Sequence, residues 1–524
     1  MKLLLQTLLL MAGIVWLRHS GFAGTLDDTG VTALRAITTN VDGSGIRVAQ
    51  VEAALDYNAS PLAFEVNPAA TGKSDALFNY FSAVGSTNIY PNILGTNSWH
   101  AENVGNDFYG MSGGVATNVA HVDNFEAGYF VNNVVQPLAV ISASVINQSF
   151  VDSNNQSTYD AIYDNYSAQY KTLFVSGAGN GGPVLPPSTC YNGISVAAYG
   201  PNAKSSIGPT LDNGRCKPDL TAPSPDYTSF STPIVSGAAA LMMQAALRGD
   251  GGDTNSASDI RTIKALLLNG AVKPLDWTNS STMPLDARYG AGVVNVLNSY
   301  QQLAGGKQAC IATSTVPLNA AHPPTGATGT VSALSGWNFA TNTSGVSSDS
   351  IQHYYFNVSN VVKSVKFTAT ATLVWNRQAN YSVVNDLDLL LYDTANSNLV
   401  AASTSYVNNV EHLYVTNLAQ GRYDLQVWKA GGTPNVNIVS AAEPYALAWE
   451  FVPPPTMTIS GTTNPALSWP VYPAGFCVEA RTNLQTDTWS ANNVPPLTLT
   501  NGQNSIPLNT PAAAQYFRLR KPGF

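Results

Sequence analysis

The order of apolar and polar positions divides the chain into two parts. Up to about residue 304, short apolar runs alternate with segments whose apolar positions repeat at helical spacing. From about residue 305, runs with strand-like alternation are separated by Asn, Gly and Ser turns, and no helical period is evident. This pattern predicts an α/β domain with a doubly wound, mostly parallel sheet, followed by an all-β region.

The first part supplies enough strands and helices for a layered sheet. Predicted strands are 46–52, 113–122, 143–149, 172–176 and 194–198, and predicted helices are 98–105, 125–139, 157–170, 228–243 and 259–269. In open sheets of this kind the active site lies beyond the carboxyl ends of the strands. Glu52 and Asn180 both follow predicted strands at that end. We therefore assign residues 46–304 to the α/β domain, with 24–45 as a lead-in segment.

The second part contains only strand patterns. They cover 364–375, 386–392, 411–415, 423–428 and 445–451, which indicates a β-sandwich or jelly roll over residues 306–452. Three consecutive prolines at 453–455 form a stiff linker. Residues 456–524 are predicted to be a last small β domain.

The N-terminus and the composition indicate an exported bacterial protein. Residues 1–23 have one early charge, a short apolar core and small residues at the end, which is typical of a secretory signal cleaved after Ala23. Arg18 and His19 make the apolar run too short for a membrane anchor, and no second span is evident. Only 11% of the residues are charged, so Asn, Ser, Thr and Gln must cover the surface, as in secreted proteins. The net charge of −8 without a basic cluster argues against nucleic-acid binding. We also expect the protein to be a monomer.

Four cysteines in an exported chain permit two disulfides with three connectivities. Cys190 and Cys216 lie in the same predicted domain, and we predict that they pair. Cys310 and Cys477 lie in different later regions and either pair or stay free.

Ser229 is the candidate nucleophile. It lies shortly before Pro233 and an Ala-rich apolar run that is predicted to be a buried helix. Free N–H groups at a helix N-terminus favour developing negative charge. Ser229 taken alone is more typical of a helix cap than of a nucleophile, but Glu52, His100 and Asn180 precede it in the order acid, base and amide. That ordered set favours catalysis.

Six sequence blocks resemble the subtilisin-like serine proteases, or subtilases. Block 227–233 reads Tyr-Thr-Ser-Phe-Ser-Thr-Pro where the family has Gly-Thr-Ser-Met-Ala-x-Pro, and block 175–182 reads Val-Ser-Gly-Ala-Gly-Asn-Gly-Gly. The remaining blocks are 113–118, 145–149, 217–223 and 289–295. The resemblance covers about residues 45–302.

This resemblance implies a serine endopeptidase that acts on proteins or peptides by acyl transfer and needs no cofactor for its chemistry. Ser229 would be the nucleophile, His100 the general base and Glu52 the group that orients His100. The Ser229 N–H and the Asn180 amide would stabilise the oxyanion. The resemblance also implies substrate-binding positions, at Ser144, Asn147, Gly177, Ala178 and Gly179.

Three positions depart from the family pattern. The family's acid is Asp, whereas this chain has Glu52, with Asp56 as an alternative acid four residues later. Of the family's His-Gly-Thr-His block only the first His, His100, is retained, and Tyr227 replaces a Gly. These departures leave a second hypothesis, a catalytically impaired protein that binds extracellular ligands. Serine-carboxyl peptidases are a third, but they carry Glu where this chain has His100.

The all-β region resembles the β-barrel domain that follows the protease domain in some bacterial alkaline subtilases. Asp386 and Asp388 would lie on one face of a strand, where with Asn385 they could offer oxygen ligands to a structural calcium ion. The alternative is a polar strand edge.

Overall fold

The computed structural model describes residues 22–153, 155–224, 226–318, 329–431, 439–461, 465–490, 497–500, 502–508 and 515–520. The predicted signal segment, apart from its last two residues, lies outside these ranges. In the first part of the chain the helices are α1 (Phe22–Asp28), α2 (Val31–Ile37), α3 (Trp99–Phe108), α4 (Ala127–Phe130), α5 (Gln156–Tyr170), α6 (Thr228–Arg248), α7 (Thr254–Ala257), α8 (Ile260–Asn269) and α9 (Val296–Ala304). Its strands are β1 (Arg47–Glu52), β2 (Leu62–Glu65), β3 (Phe78–Ser82), β4 (Gly85–Thr87), β5 (Gly95–Asn97), β6 (His121–Glu126), β7 (Val145–Gln148), β8 (Leu173–Gly177), β9 (Ile194–Tyr199) and β10 (Leu220–Pro223).

The first part is built on one eight-stranded sheet, which confirms the predicted α/β class. Its order is β10-β9-β8-β7-β1-β6-β3-β4, and every neighbouring pair is parallel except β3 with β4. Side chains alternate between the two faces of β1, so that Val48 joins one core cluster and Val51 another. The helix α6 belongs to the first cluster, and most of its apolar side chains, from Ile234 to Ala246, are buried there.

Most predicted elements of this part are present within a few residues of their predicted bounds, and two differ. Residues 113–120 form turns, and the strand begins only at His121. The predicted helix 125–139 is reduced to α4 and a π-helical turn, Val131–Val135. The pattern also failed to indicate β3 and the small parallel pair of β2 and β5.

The second part consists of antiparallel sheets. Its strands are β11 (Ile311–Pro317), β12 (Ser335–Thr343), β13 (Ser348–Val358), β14 (Phe367–Trp375), β15 (Leu387–Asp393), β16 (Asn398–Ser403), β17 (Val410–Leu418), β18 (Gly421–Lys429) and β19 (Ala442–Val452). They form one sheet of order β11-β13-β18-β15-β16 and a second of order β12-β19-β14-β17. Apolar residues from both sheets, such as Tyr354 and Leu447, share one buried cluster. The resemblance to the β-barrel domain of alkaline subtilases stays a prediction.

The second sheet also packs against the α/β domain. Val374 and Ala446 belong to the same buried cluster as α6 and α8. Asn192 accepts a hydrogen bond from the Arg377 N–H (2.8 Å) and donates one to the Arg377 carbonyl (3.0 Å). The two parts therefore share a continuous buried core.

The lead-in segment and the last residues are also folded where they are described. The Val296 N–H donates to the Thr29 carbonyl (2.8 Å), which ties the segment between α1 and α2 to α9. After residue 455 the strands are β20 (Thr458–Ser460), β21 (Ala466–Pro470), β22 (Cys477–Arg481), β23 (Thr498–Thr500), β24 (Gln503–Pro507) and β25 (Tyr516–Arg520). They enclose a small cluster of Leu467, Trp469, Val478 and Ile506.

The predicted disulfide between Cys190 and Cys216 is wrong, because both residues are buried free thiols in the structure. Cys190 packs in the cluster on one side of the sheet and Cys216 in the cluster on the other. The Cys216 sulfur accepts a hydrogen bond from Asn408 of the sandwich (3.6 Å). Cys310 and Cys477 are also free.

Only one helix in the described ranges, α6, is long and apolar enough to cross a membrane. Of its most apolar window, 83% is buried inside the protein. This helix has the environment of a core element.

Candidate active site

The carboxyl end of β1 places an acidic side chain beside the start of α3. Glu52, the last residue of β1, is 1% exposed. Ser98 caps α3 by accepting a hydrogen bond from the Ala101 N–H, and His100 therefore lies in the first helical turn. The Glu52 Oε2 and His100 Nδ1 atoms are 2.8 Å apart. This contact fixes the imidazole so that its other nitrogen, Nε2, is turned away from the acid.

Two aromatic rings flank this histidine. Trp99 meets it edge-on, with 5.8 Å between ring centroids, and Phe230 lies 5.9 Å away in a tilted arrangement. The His100 side chain is 18% exposed, whereas Trp99 is 57% exposed. The imidazole is thus held by packing but remains open on one side.

Asp56, the alternative acid, lies in a different environment. It is exposed, and its carboxylate accepts the N–H of Asn58 (2.8 Å) within its own turn. In the described residues no hydrogen bond joins Asp56 to His100. The structure therefore brings Glu52, and not Asp56, to the histidine.

Ser229 is the second residue of α6, and the helix geometry explains how it is held. Pro233 lies four residues later and has no N–H to donate to the Ser229 carbonyl. The hydroxyl of Ser149, just beyond β7, donates to that carbonyl instead (2.9 Å). Asn147 donates to the Ser149 hydroxyl (3.1 Å), which makes a buried support for the helix start.

The Ser229 hydroxyl is turned toward Ser149 in this structure. It donates to the Ser149 carbonyl at 3.4 Å, a long hydrogen bond. In the described part of the chain no hydrogen bond joins Ser229 to His100, although Phe230 contacts the imidazole. Reaction with His100 as base would require rotation of the Ser229 side chain.

Asn180 lies in the glycine-rich loop after β8, with its amide oriented by α6. Its Oδ1 accepts the N–H of Thr228 (2.9 Å) and the hydroxyl of Thr228 (3.0 Å). Because Oδ1 is occupied in this way, the Asn180 NH₂ group remains to donate to a ligand. Gly179 precedes it with φ +109°, and a Cβ there would lie 2.6 Å from the Ser206 hydroxyl, so the turn requires glycine.

The predicted substrate-binding positions lie in different environments. Ser144 precedes β7 at its amino end, opposite the end that carries Ser149, and its contact with substrate stays a prediction. The Asn147 side chain is fully buried and supports Ser149 and α6 rather than facing a cleft. Ser149 was not among the predicted site residues, although it follows the same apolar strand.

The glycine-rich positions lie beside the nucleophile helix. A Cβ at Gly177 would meet the Thr232 hydroxyl at 3.0 Å, which shows how closely this strand end approaches α6. Ala178 is fully buried, and its N–H donates to the Val196 carbonyl (2.9 Å). Substrate contact at Gly177, Ala178 and Gly179 stays a prediction.

The predicted calcium ligands lie at the start of β15. Asp386 is buried, and burial together with the nearby Asp349 raises its pKa from 3.8 to about 6. Burial and both neighbouring acids also raise the pKa of Asp388. Within the ranges that the structure describes, no group of three or more His, Cys, Asp or Glu side chains is arranged to hold a metal ion. Calcium binding by Asp386 and Asp388 stays a prediction.

A histidine oriented by a carboxylate, a hydroxyl at a helix N-terminus and an amide donor are together suited to nucleophilic acyl transfer. Residues 84–292 match the sequence model of the subtilase family, a range that includes His100, Asn180 and Ser229 but not Glu52. No curated protein matches the chain.

Several solved structures with similarity to the chain are proteases. One from Pseudoalteromonas arctica is 18% identical, with a TM-score of 0.37, over 54% of this chain and 98% of that one. The CspB protease of Clostridium perfringens is 13% identical, with a TM-score of 0.39, over 53% and 99%. The Pseudomonas serine-carboxyl proteinase sedolisin is 12% identical, with a TM-score of 0.36, over 52% and 96%.

Proposed function

We propose that the protein is a serine endopeptidase of the subtilase type that forms an acyl-enzyme, since residues 84–292 match the model of that family. The observation that carries this proposal is the 2.8 Å contact between Glu52 and His100 beside the start of α6. The contact gives the histidine a fixed orientation, with Nε2 free to accept a proton from Ser229.

Acylation begins with rotation of the Ser229 hydroxyl from Ser149 toward His100. The Ser229 Oγ attacks the carbonyl carbon of the scissile peptide bond, and its proton passes to His100 Nε2. Glu52 stabilises the resulting imidazolium. The proton is then given to the leaving amine as the C–N bond breaks, and an ester remains on Ser229.

The oxyanion of each tetrahedral intermediate would be stabilised by two donors, the Ser229 N–H and the Asn180 NH₂ group. The N–H is available because Ser229 lies in the first turn of α6, where backbone donors have no helical partner. Water, deprotonated by His100, then attacks the ester carbonyl carbon. The bond to Ser229 Oγ breaks, His100 returns the proton to that oxygen, and the acid product leaves. No step needs a metal ion or a cofactor.

We propose that the protein is secreted and acts on proteins or peptides outside the cell. The signal-like residues 1–23 and the low content of charged residues support export.

One observation favours a second candidate, a catalytically impaired binding protein. The Ser229 hydroxyl donates to Ser149 and not to His100. If this rotamer is fixed, the base cannot accept the proton.

A fluorophosphonate probe separates the two candidates, because it reacts only with an activated serine. We expect the wild type to be labelled at Ser229 and to hydrolyse an unfolded protein substrate. Asn180→Ala should lower kcat by about 10²–10³-fold while leaving the fold intact. A folded wild type that takes up no label would overturn the endopeptidase.

A further inference from the structure

The second oxygen of the Glu52 carboxylate is held by a buried chain of hydrogen bonds. The Gln50 Nε2 atom donates to Glu52 Oε1 (2.8 Å) and also to the Ala101 carbonyl (2.8 Å). Tyr109 donates its hydroxyl proton to Gln50 Oε1 (2.5 Å). Gln50 and Tyr109 are fully buried and Glu52 is 1% exposed, so water does not compete for these contacts.

The phenol determines which way the Gln50 amide faces. Tyr109 lies in the core, and burial raises its pKa well above the usual value, so the hydroxyl keeps its proton. With that donor in place, the Gln50 oxygen must face Tyr109 and its NH₂ group must face Glu52. The reverse orientation would place an amide oxygen against the carboxylate.

The position of the phenol is itself fixed by packing. The Tyr109 ring lies 6.0 Å from that of Phe78 and 5.3 Å from that of Phe108. Gly105, one helical turn earlier, makes room for the hydroxyl, since a Cβ there would lie 2.9 Å from the Tyr109 oxygen. Packing of these aromatic rings thus fixes the position of the Tyr109 hydroxyl, the last member of the series of hydrogen bonds.

Glutamate needs this support more than aspartate would. Its extra methylene adds a rotatable bond, so the carboxylate can adopt more positions relative to the histidine. Gln50 lies two residues before Glu52, on the same face of β1, and bridges from the acid to the residue after His100.

We propose that Gln50 and Tyr109 are positioning residues that hold the Glu52 carboxylate at hydrogen-bond distance from His100 Nδ1. They act through Glu52 and touch no reacting atom. This inference rests on the proposed peptidase function for its kinetic consequences, but the geometry it predicts can be measured without turnover.

The main test is Tyr109→Phe, with Tyr80→Phe as the matched control. Tyr80 is also fully buried and donates its hydroxyl to the Val66 carbonyl (2.9 Å), and among the described residues no hydrogen bond joins it to Gln50 or Glu52. With an activated ester substrate, we expect Tyr109→Phe to lower kcat about tenfold to hundredfold with little change in KM, and Tyr80→Phe to leave kcat unchanged. Gly105→Ala, which displaces the hydroxyl without removing it, should lower kcat in the same way.

A double-mutant cycle then distinguishes positioning from general loss of structure. If Tyr109 acts through the acid, Tyr109→Phe should have no further effect on kcat in the Glu52→Gln background. An equal loss in that background, or an equal loss in Tyr80→Phe, would overturn the proposal.

An NMR measurement keeps this inference separate from the proposed function. The proton on His100 Nδ1 should give a downfield signal in the wild type, which should weaken or shift in Tyr109→Phe but not in Tyr80→Phe. If the wild type neither labels nor turns over, the peptidase proposal fails while this signal still decides the positioning. An unchanged signal in Tyr109→Phe would refute the positioning role.

Discussion

Among the described residues, two histidines lie within hydrogen-bond distance of a carboxylate through Nδ1, and the differences between these two pairs show what a catalytic arrangement requires. In the β-sandwich, His353 Nδ1 lies 2.8 Å from Asp424 Oδ2, and His353 Nε2 lies 2.9 Å from the Ser314 hydroxyl. This array has the full Ser–His–Asp hydrogen-bond order, which the His100 site lacks in its present rotamer. By hydrogen bonds alone, the sandwich would be chosen as the active site.

Solvent exposure of the histidine and the presence of free backbone N–H groups favour the His100 site instead. The His353 and Asp424 side chains are 1% and 0% exposed, against 18% for His100. His353 and Asp424 lie within β13 and β18, interior strands whose N–H groups are used by the sheet, and Tyr355 stacks on the His353 ring at 5.9 Å. Ser229 begins a helix with free N–H groups and has Asn180 beside it. The comparison indicates that a reactive serine needs space and oxyanion donors as well as a base.

The largest expected effect is the difference in kcat between substitution of Ser229 and substitution of Ser314. Ser229→Ala should lower kcat by about 10⁴–10⁶-fold and abolish fluorophosphonate labelling, since it removes the nucleophile. Ser314→Ala should change neither. Mass spectrometry of the labelled peptides would check this, and labelling of Ser314 in the Ser229→Ala protein would invalidate the comparison.

Substitution of the two histidine-bound carboxylates, Glu52 and Asp424, should affect different properties, kcat in the first case and stability in the second. Glu52→Gln should lower kcat by about 10⁴-fold with a small change in Tm, because it removes the charge that stabilises the imidazolium. Asp424→Asn should leave kcat unchanged but lower the free energy of unfolding by about 1–3 kcal/mol through the loss of buried hydrogen bonds. Asp56→Ala is the control for the first measurement and should retain activity.

A smaller effect is expected from the support of the nucleophile helix. Ser149→Ala removes the hydroxyl that donates to the Ser229 carbonyl, which Pro233 cannot reach with an N–H, and should lower kcat about tenfold. Ser350→Ala is the matched control in the sandwich, where the buried hydroxyl donates to Asn342 (2.7 Å). It should lower Tm and leave kcat unchanged. Equal kcat values for the two variants would contradict the support role.

The smallest effect concerns the acids of the sandwich and depends on pH. The folded-state pKa of Asp386 is raised to about 6, first by burial and then by Asp349, while Lys429 opposes the shift. The folded state therefore binds more protons than the unfolded state between about pH 4 and 6, and stability falls as the pH rises through that window. Asp386→Asn should raise Tm at pH 7.5 and not at pH 4. A rise in wild-type Tm with added calcium at pH 7.5 would instead support the predicted metal site.

The sequence predicted what depends on local pattern and order. Strand β1 ending in Glu52, the helix that carries His100 and the buried helix after Ser229 all follow from periodicity and turn residues. The predictions failed where contacts come from distant segments. The alternation at 113–122 resembled a strand, yet those residues turn before β6, and Cys190 and Cys216 share a domain but lie in clusters on opposite sides of its sheet.

The amino-acid sequence by itself determined the fold class and the order of acid, histidine, amide and serine, because hydrophobic period and motif spacing are properties of the chain alone. Only the tertiary structure decided which acid reaches His100, that Ser149 supports Ser229, and that Gln50 and Tyr109 hold Glu52. The Glu52–His100, Tyr109–Gln50 and Ser149–Ser229 contacts join residues 48 to 80 positions apart. Their existence depends on how strands and helices pack, and no local pattern in the sequence encodes a distance between two side chains.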